Sequence, residues 1–150
     1  MQRIGKEAYY LSIAAEVARR STCLRRQYGA VIVKNDEIVA TGYNGAPRGD
    51  ENCCDVGVCW REHNNIPHGE QYEKCVAVHA EQNAIIQAAT LGQSIEGATI
   101  YITHQPCIIC AKMIINAGIR RIVVKEGYPD EMSVGILQEA GLKIVMLGEA

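Results

Sequence analysis

Three glycines, Gly92, Gly118 and Gly141, each close a stretch with helical apolar periodicity, and each precedes a short run rich in β-branched residues. Glycine supplies the left-handed residue that ends a helix cheaply, so these positions read as helix stops. They place helices over about 79–91, 107–117 and 130–140, and strands over 98–103, 119–125 and 142–147. Strands separated by helices favour parallel pairing with right-handed crossovers. Upstream, residues 6–20 put Tyr10, Leu11, Ala14, Val17 and Ala18 on one helical face. Residues 28–34 and 37–43 are Val/Ile-rich runs joined at Asn35-Asp36, a β-hairpin signal. The order α-ββ-α-β-α-β-α-β predicts a three-layer α/β/α sandwich on a five-stranded mixed sheet. A length of 150 residues fits one such domain over 1–150. Between 42 and 75 the sustained apolar period is lost, apart from a short helix expected near 58–63. An irregular stretch of this length is functional or tied down by something, and about 45–75 reads as an insertion.

Composition narrows the function. With 48% hydrophobic residues the chain is too apolar for disorder. Fifteen Lys+Arg against 17 Asp+Glu leave a net charge of −2, which argues against a nucleic-acid-coating or membrane-surface protein. No apolar run approaches the ~18 residues of a membrane span. The opening segment Met1–Glu7 lacks the apolar core of a secretory signal, so a reducing cytoplasm is the expected setting. Seven cysteines there need a purpose other than disulfides, and an odd number cannot all pair within one chain. Metal binding or catalysis is the better explanation.

Two segments carry that chemistry: His79-Ala80-Glu81 and Pro106-Cys107-Ile108-Ile109-Cys110. Both fall at expected helix N-termini, where partial positive charge and free N–H groups favour thiolate. Cys107 and Cys110 share one side of a first helical turn. Two thiolates and one imidazole form a tetrahedral zinc site with its fourth position open, as in catalytic rather than structural zinc. Glu81 is close enough to exchange a proton with water there. His-x-Glu followed by Pro-Cys-x-x-Cys is the signature of zinc-dependent nucleobase deaminases, the Glu serving as acid/base.

These motifs, with Ser21-Thr22-Cys23-Leu24-Arg25-Arg26 and Gly42-Tyr43-Asn44-Gly45-Ala46-Pro47-Arg48-Gly49, make the chain from about 8 to 147 resemble the deoxycytidylate (dCMP) deaminase family of the cytidine deaminase-like fold. The resemblance implies hydrolytic conversion of dCMP to dUMP and ammonia, supplying dUMP for dTTP synthesis. It implies His79, Cys107 and Cys110 as zinc ligands and Glu81 as the proton shuttle. Glu81 would take a proton from the attacking water, protonate N3 and then pass a proton to the departing amine. Asn44 matches an asparagine that hydrogen-bonds the pyrimidine or sugar. The loop of Arg25 and Arg26 would lie near the 5′-phosphate, although the bland alternative is a solvated basic surface. Tyr128 either walls the nucleotide pocket or packs in the core. In the family the loop with Gly42, Tyr43 and Gly45 is associated with a site where dCTP activates and dTTP inhibits; it could equally only shape the active site. A triphosphate effector would bring Mg2+. A homo-oligomer is expected, a hexamer by resemblance, with no membrane and no stable nucleic-acid partner. Rival substrates are dCTP, free cytidine, guanine or adenosine in tRNA. A rival of another class is a non-catalytic zinc-dependent nucleotide sensor.

Five cysteines remain: Cys23, Cys53, Cys54, Cys59 and Cys75, in or beside the irregular stretch, with His63 and His68 nearby. Buried free thiols are one explanation. The other is a second, structural zinc on Cys23, Cys53, Cys59 and Cys75, positions that recur in similar bacterial and viral deaminases. His63 is then the substitute ligand and Cys54 the spare thiol. Such a metal would stabilise a loop with little core of its own.

Overall fold

A computed structural model describes residues 1–67, 69–127 and 130–147. Helix α1 (Lys6–Ala18) leads into the hairpin β1 (Gly29–Lys34) and β2 (Glu37–Tyr43). Asn35 and Asp36 turn the hairpin with φ of 52° and 60°, the left-handed pair that a tight hairpin needs and that Asn and Asp tolerate. After the irregular segment come α4 (Ala80–Thr90), β3 (Thr99–Ile102), α5 (Ile108–Asn116), β4 (Arg121–Val124), α6 (Glu131–Glu139) and β5 (Lys143–Met146). The elements match the sequence reading, most ending a residue or two further in, as fraying ends do.

The sheet order is β2-β1-β3-β4-β5. β1 runs antiparallel to both neighbours, and β3, β4 and β5 are mutually parallel. β2 therefore points the same way as β3, so all three crossovers advance across the sheet in one direction. Right-handed connection then puts α4, α5 and α6 on one face and leaves the other to α1. The two core clusters show this division. Ala84 and Ala88 of α4, Ile114 of α5 and Leu137 of α6 pack with Ile32, Ile100, Ile122 and Val124. Tyr10, Leu11 and Ala14 of α1 pack with Val31, Val33, Tyr101 and Val123. Neighbouring residues of β1, β3 and β4 serve opposite cores, which is why these strands read as unbroken apolar runs.

Two glycines set how closely the layers approach. A Cβ on Gly29 would lie 2.0 Å from the Ala14 carbonyl oxygen of α1. One on Gly42 would lie 2.3 Å from the Ala80 carbonyl oxygen and 2.4 Å from the Ala84 nitrogen of α4. On the α1 face, Glu7 pairs with Arg121 at 2.6 Å, and Tyr10 donates to Asp36 at 2.7 Å.

The 42–75 stretch holds more regular structure than its sequence suggests. It contains α2 (Cys53–Val56), α3 (Trp60–His63) and a 3-10 turn (Tyr72–Lys74). Only the helix near 58–63 was expected; four-residue helices lie far below the length at which periodicity shows. A bridge between Gly45 and Val78 closes the segment onto the end of β2.

Candidate active site

The parallel strands deliver their C-terminal ends to one edge of the sheet, the edge where open α/β sheets bind ligands. β3 runs out through Thr103-His104-Gln105-Pro106 into Cys107, the N-cap of α5, whose sulfur accepts from the Cys110 N–H. The buried Ser133 hydroxyl of α6 donates to the Pro106 carbonyl at 2.8 Å and fixes this turn from behind. His79 is the N-cap of α4, and its own N–H is held by the Gln82 side chain at 2.8 Å. Both motifs thus occupy helix N-termini and face each other across β3.

His79 Nδ1 lies 3.2 Å from Cys110 Sγ and 3.6 Å from Cys107 Sγ. The three donor atoms fall within 4.8 Å of one another, and no other group of metal-binding side chains among the described residues is gathered so tightly. Hydrogen bonding from Cys110 and from His79 pulls the Cys107 thiol down to about 4, so it is a thiolate at neutral pH. The same Cys107 contact pushes Cys110 upward and raises His79. One imidazole and two sulfurs, one already anionic, are the donor set that zinc prefers.

Glu81 is 1% exposed, yet among the described residues neither carboxylate oxygen has a hydrogen-bond partner. A buried carboxylate without partners is costly, and such groups persist where chemistry uses them. His104 Nε2 stands 3.8 Å from Glu81 Oε1, beyond hydrogen-bond range, and burial pushes its pKa down, so it is neutral. Its ring stacks on Tyr28 with centroids 3.5 Å apart.

Beside this group opens a cavity of about 930 Å³. His79, His104 and Cys107 line it, and so do Arg25, Arg26 and Asn44. The Asn44 amide is committed to its own loop: Oδ1 accepts from Tyr28 N and Nδ2 donates to the Arg26 carbonyl, each at 2.9 Å. Among the described residues one N–H and one lone pair of this amide have no partner. Arg26 is exposed, whereas Arg25 Nε is paired with Glu62 at 2.8 Å. Tyr128 and His68 lie outside the described residues.

Arg61 and His104 were not singled out from the sequence, yet both line the cavity. Arg61 is 7% exposed and donates to the carbonyls of Pro67 and Glu70. The one signal for His104 was its place just before Pro-Cys at the end of a strand.

Cys23, Cys59 and Cys75 line the same cavity. Burial raises the Cys53 thiol, and Cys23, Cys59, Cys75 and Cys54 add to that shift. They are not drawn within the spacing that the first group shows. His63 and Cys54 are exposed. In the Gly42–Gly45 segment, the contacts of Gly42 with α4 and a Cβ distance of 3.0 Å from Gly45 to Thr22 Oγ1 favour glycine on packing grounds. Tyr43 is partly exposed, and its carbonyl accepts from Asn83 at 2.7 Å.

An α/β fold that keeps a carboxylate dry two residues beyond one donor of a His/Cys/Cys group defines a class, the zinc-dependent nucleobase and nucleotide deaminases. Residues 5–126 match the family described as the cytidine and deoxycytidylate deaminase zinc-binding region. The deoxycytidylate deaminase of Mycobacterium phage D29 is 40% identical over 136 residues, covering 87% of this chain and 99% of its own. That of Schizosaccharomyces pombe is 35% identical over 141 residues, and the chain spans 42% of its length. The crystal structure of dCMP deaminase from the cyanophage S-TIM5 in complex with dCMP and dUMP superposes with a TM-score of 0.77 at 30% identity, covering 97% of this chain and 100% of that one. The chain belongs to the cytidine and deoxycytidylate deaminase family.

Proposed function

We propose that residues 1–150 form one deaminase domain that hydrolyses dCMP to dUMP and ammonia, supplying dUMP for dTTP synthesis in the cytoplasm. The observation that carries this reading is one cavity lined both by His79 and Cys107 of the three-donor group and by Arg25 and Arg26, the side chains suited to a phosphate. A zinc ion on His79, Cys107 and Cys110 would supply a Lewis acid that lowers the pKa of a water at neutral pH. Glu81 then handles the protons: its carboxylate accepts one from the attacking water and delivers it to the ring nitrogen N3, then takes the second from the hydroxyl that the addition leaves on C4 and passes it to the amine, which departs as ammonia while C4 becomes a carbonyl. Among the described residues neither oxygen is engaged by a hydrogen-bond partner, which leaves both for these transfers. His104 and Tyr28 wall the base, and Asn44 offers its remaining N–H and lone pair. The amino-acid composition supports a small nucleotide rather than a nucleic acid as substrate.

A second, structural zinc on Cys23, Cys53, Cys59 and Cys75 belongs to the same proposal, with His63 as the substitute. What supports it is four cysteines in or beside a stretch with little apolar core, three of them lining one cavity. Metal analysis of purified protein showing one zinc per chain rather than two would remove this part. The substrate is tested by ammonia release on dCMP, dCTP, deoxycytidine and CMP, each with and without dCTP or dTTP with Mg2+. Turnover of dCMP above the others is expected, and an effector response would implicate the Gly42–Gly45 loop. Faster turnover of dCTP would replace dCMP as the substrate, and absence of turnover on any of the four would overturn the reading. Sedimentation of the protein at micromolar concentration tests the homo-oligomer.

A further inference from the structure

Arg25 reaches the cavity wall with only part of its guanidinium engaged. Its Nε is held by Glu62 Oε1 at 2.8 Å, and among the described residues its terminal nitrogens have no partner. A guanidinium presents two bidentate edges, and fixing Nε leaves the outer edge, Nη1 and Nη2, for a second anion. Arg25 is 25% exposed and Glu62 58%, so the cation is turned inward and its partner outward. Glu62 itself stands on a secured base. It lies on α3 next to Arg61, whose guanidinium binds the carbonyls of Pro67 and Glu70 within the same loop. On the other side, the Arg25 N–H contacts Cys23 Sγ at 3.4 Å, which ties the turn that carries Arg25.

We propose that Glu62 is a positioning residue for the 5′-phosphate: it orients Arg25 so that the free edge of the fork meets the phosphate of a mononucleotide. This rests on the nucleotide reading above. Two effects of Glu62 oppose each other. Its negative charge weakens anion binding in the cavity, but its exposure makes that field small in salt water. Against this, a free Arg samples many rotamers, and holding Nε removes that freedom before the phosphate arrives. Orientation is the larger effect, so loss of Glu62 weakens phosphate binding even though it makes the cavity more positive.

The test is equilibrium binding of dUMP and of deoxyuridine to the zinc-loaded protein by calorimetry, with melting curves to verify folding. The quantity read is the ratio of the two affinities. In Arg25→Ala the preference for dUMP falls by about tenfold or more, the scale of a charge-assisted hydrogen bond. In Glu62→Ala it falls by roughly three- to tenfold, while Glu62→Gln, which keeps the shape of the side chain and loses the charge of the ion pair, falls between Glu62→Ala and the wild type. Glu62→Ala in the Arg25→Ala background changes nothing further, because the residue acts through Arg25. An unchanged or increased preference for dUMP in Glu62→Ala overturns the proposal, as does a wild-type protein that binds both ligands equally. Binding rather than turnover keeps this separate from the catalytic reading. Selective dUMP binding without dCMP deamination would sink the activity and leave the role of Glu62 standing.

Discussion

At the residue scale, the grouping of His79 with Cys107 and Cys110 beside Glu81 was legible because they lie in two short segments at helix N-termini, where neighbours in sequence are neighbours in space. Asn44 was legible as a position but not as a set of contacts. Its amide joins Tyr28 N and the Arg26 carbonyl, partners that only the closed loop supplies. Asn44→Ala leaves both backbone groups unsatisfied in a half-buried turn, at about 1–3 kcal/mol for each. Denaturant unfolding should show that loss, and dCMP kinetics should show a raised KM as Tyr28 and Arg26 lose their anchor. Unaltered stability would mean that the loop is held by something else. Arg61 and His104 were illegible for the same reason. Arg61 sits in a Trp-Arg-Glu run that reads as a polar helix face, and it becomes a buried cavity residue only when the Pro67 and Glu70 carbonyls come back onto it.

At the element scale, periodicity located the helices and strands of the core, and the Asn35-Asp36 turn followed from its chemistry. The helix α2 did not, since four residues carry no period. Close approach between layers was invisible as well: a glycine in a strand does not say which backbone it touches. Gly29→Ala and Gly42→Ala both force a layer apart and should each destabilise by about 1–3 kcal/mol or more. Their consequences differ. Gly42 abuts α4, the helix that His79 caps, so Gly42→Ala should also lower zinc content. Gly29 abuts α1 on the opposite face and should leave the metal in place. Metal analysis of the two variants at matched melting temperatures tests this, and equal zinc loss in both would contradict it. The clasp of α1 onto the hairpin has its own signature. The hydrogen bond to Asp36 raises Tyr10 from 10.0 to about 12. Between those values the unfolded chain has lost the proton that the folded chain keeps, so the stability from this contact is complete below pH 10 and declines as pH rises towards 12. Subtracting the profile of Tyr10→Phe isolates this contact; parallel curves for the two proteins would rule it out.

At the scale of the whole molecule, helix–strand alternation gave the layers, and the handedness of parallel crossovers explains why three helices share one face. The strand order was not legible, because it depends on β1 inserting between β2 and β3, a pairing that no local pattern encodes. No helix among the described residues is long and apolar enough to cross a membrane. The architecture concentrates its polar exceptions at one edge: a buried carboxylate, a His/Cys/Cys group able to hold a metal and an arginine-bearing cavity wall. The most direct test of that arrangement is the conversion of dCMP by zinc-loaded wild-type protein and by Glu81→Gln, following dUMP and ammonia together. Equal amounts of the two products from the wild type, and a loss of about 10²–10⁴-fold in kcat with zinc retained in the variant, are predicted. Failure of the folded, zinc-loaded wild type to convert dCMP, or full activity without the Glu81 carboxylate, would contradict the account.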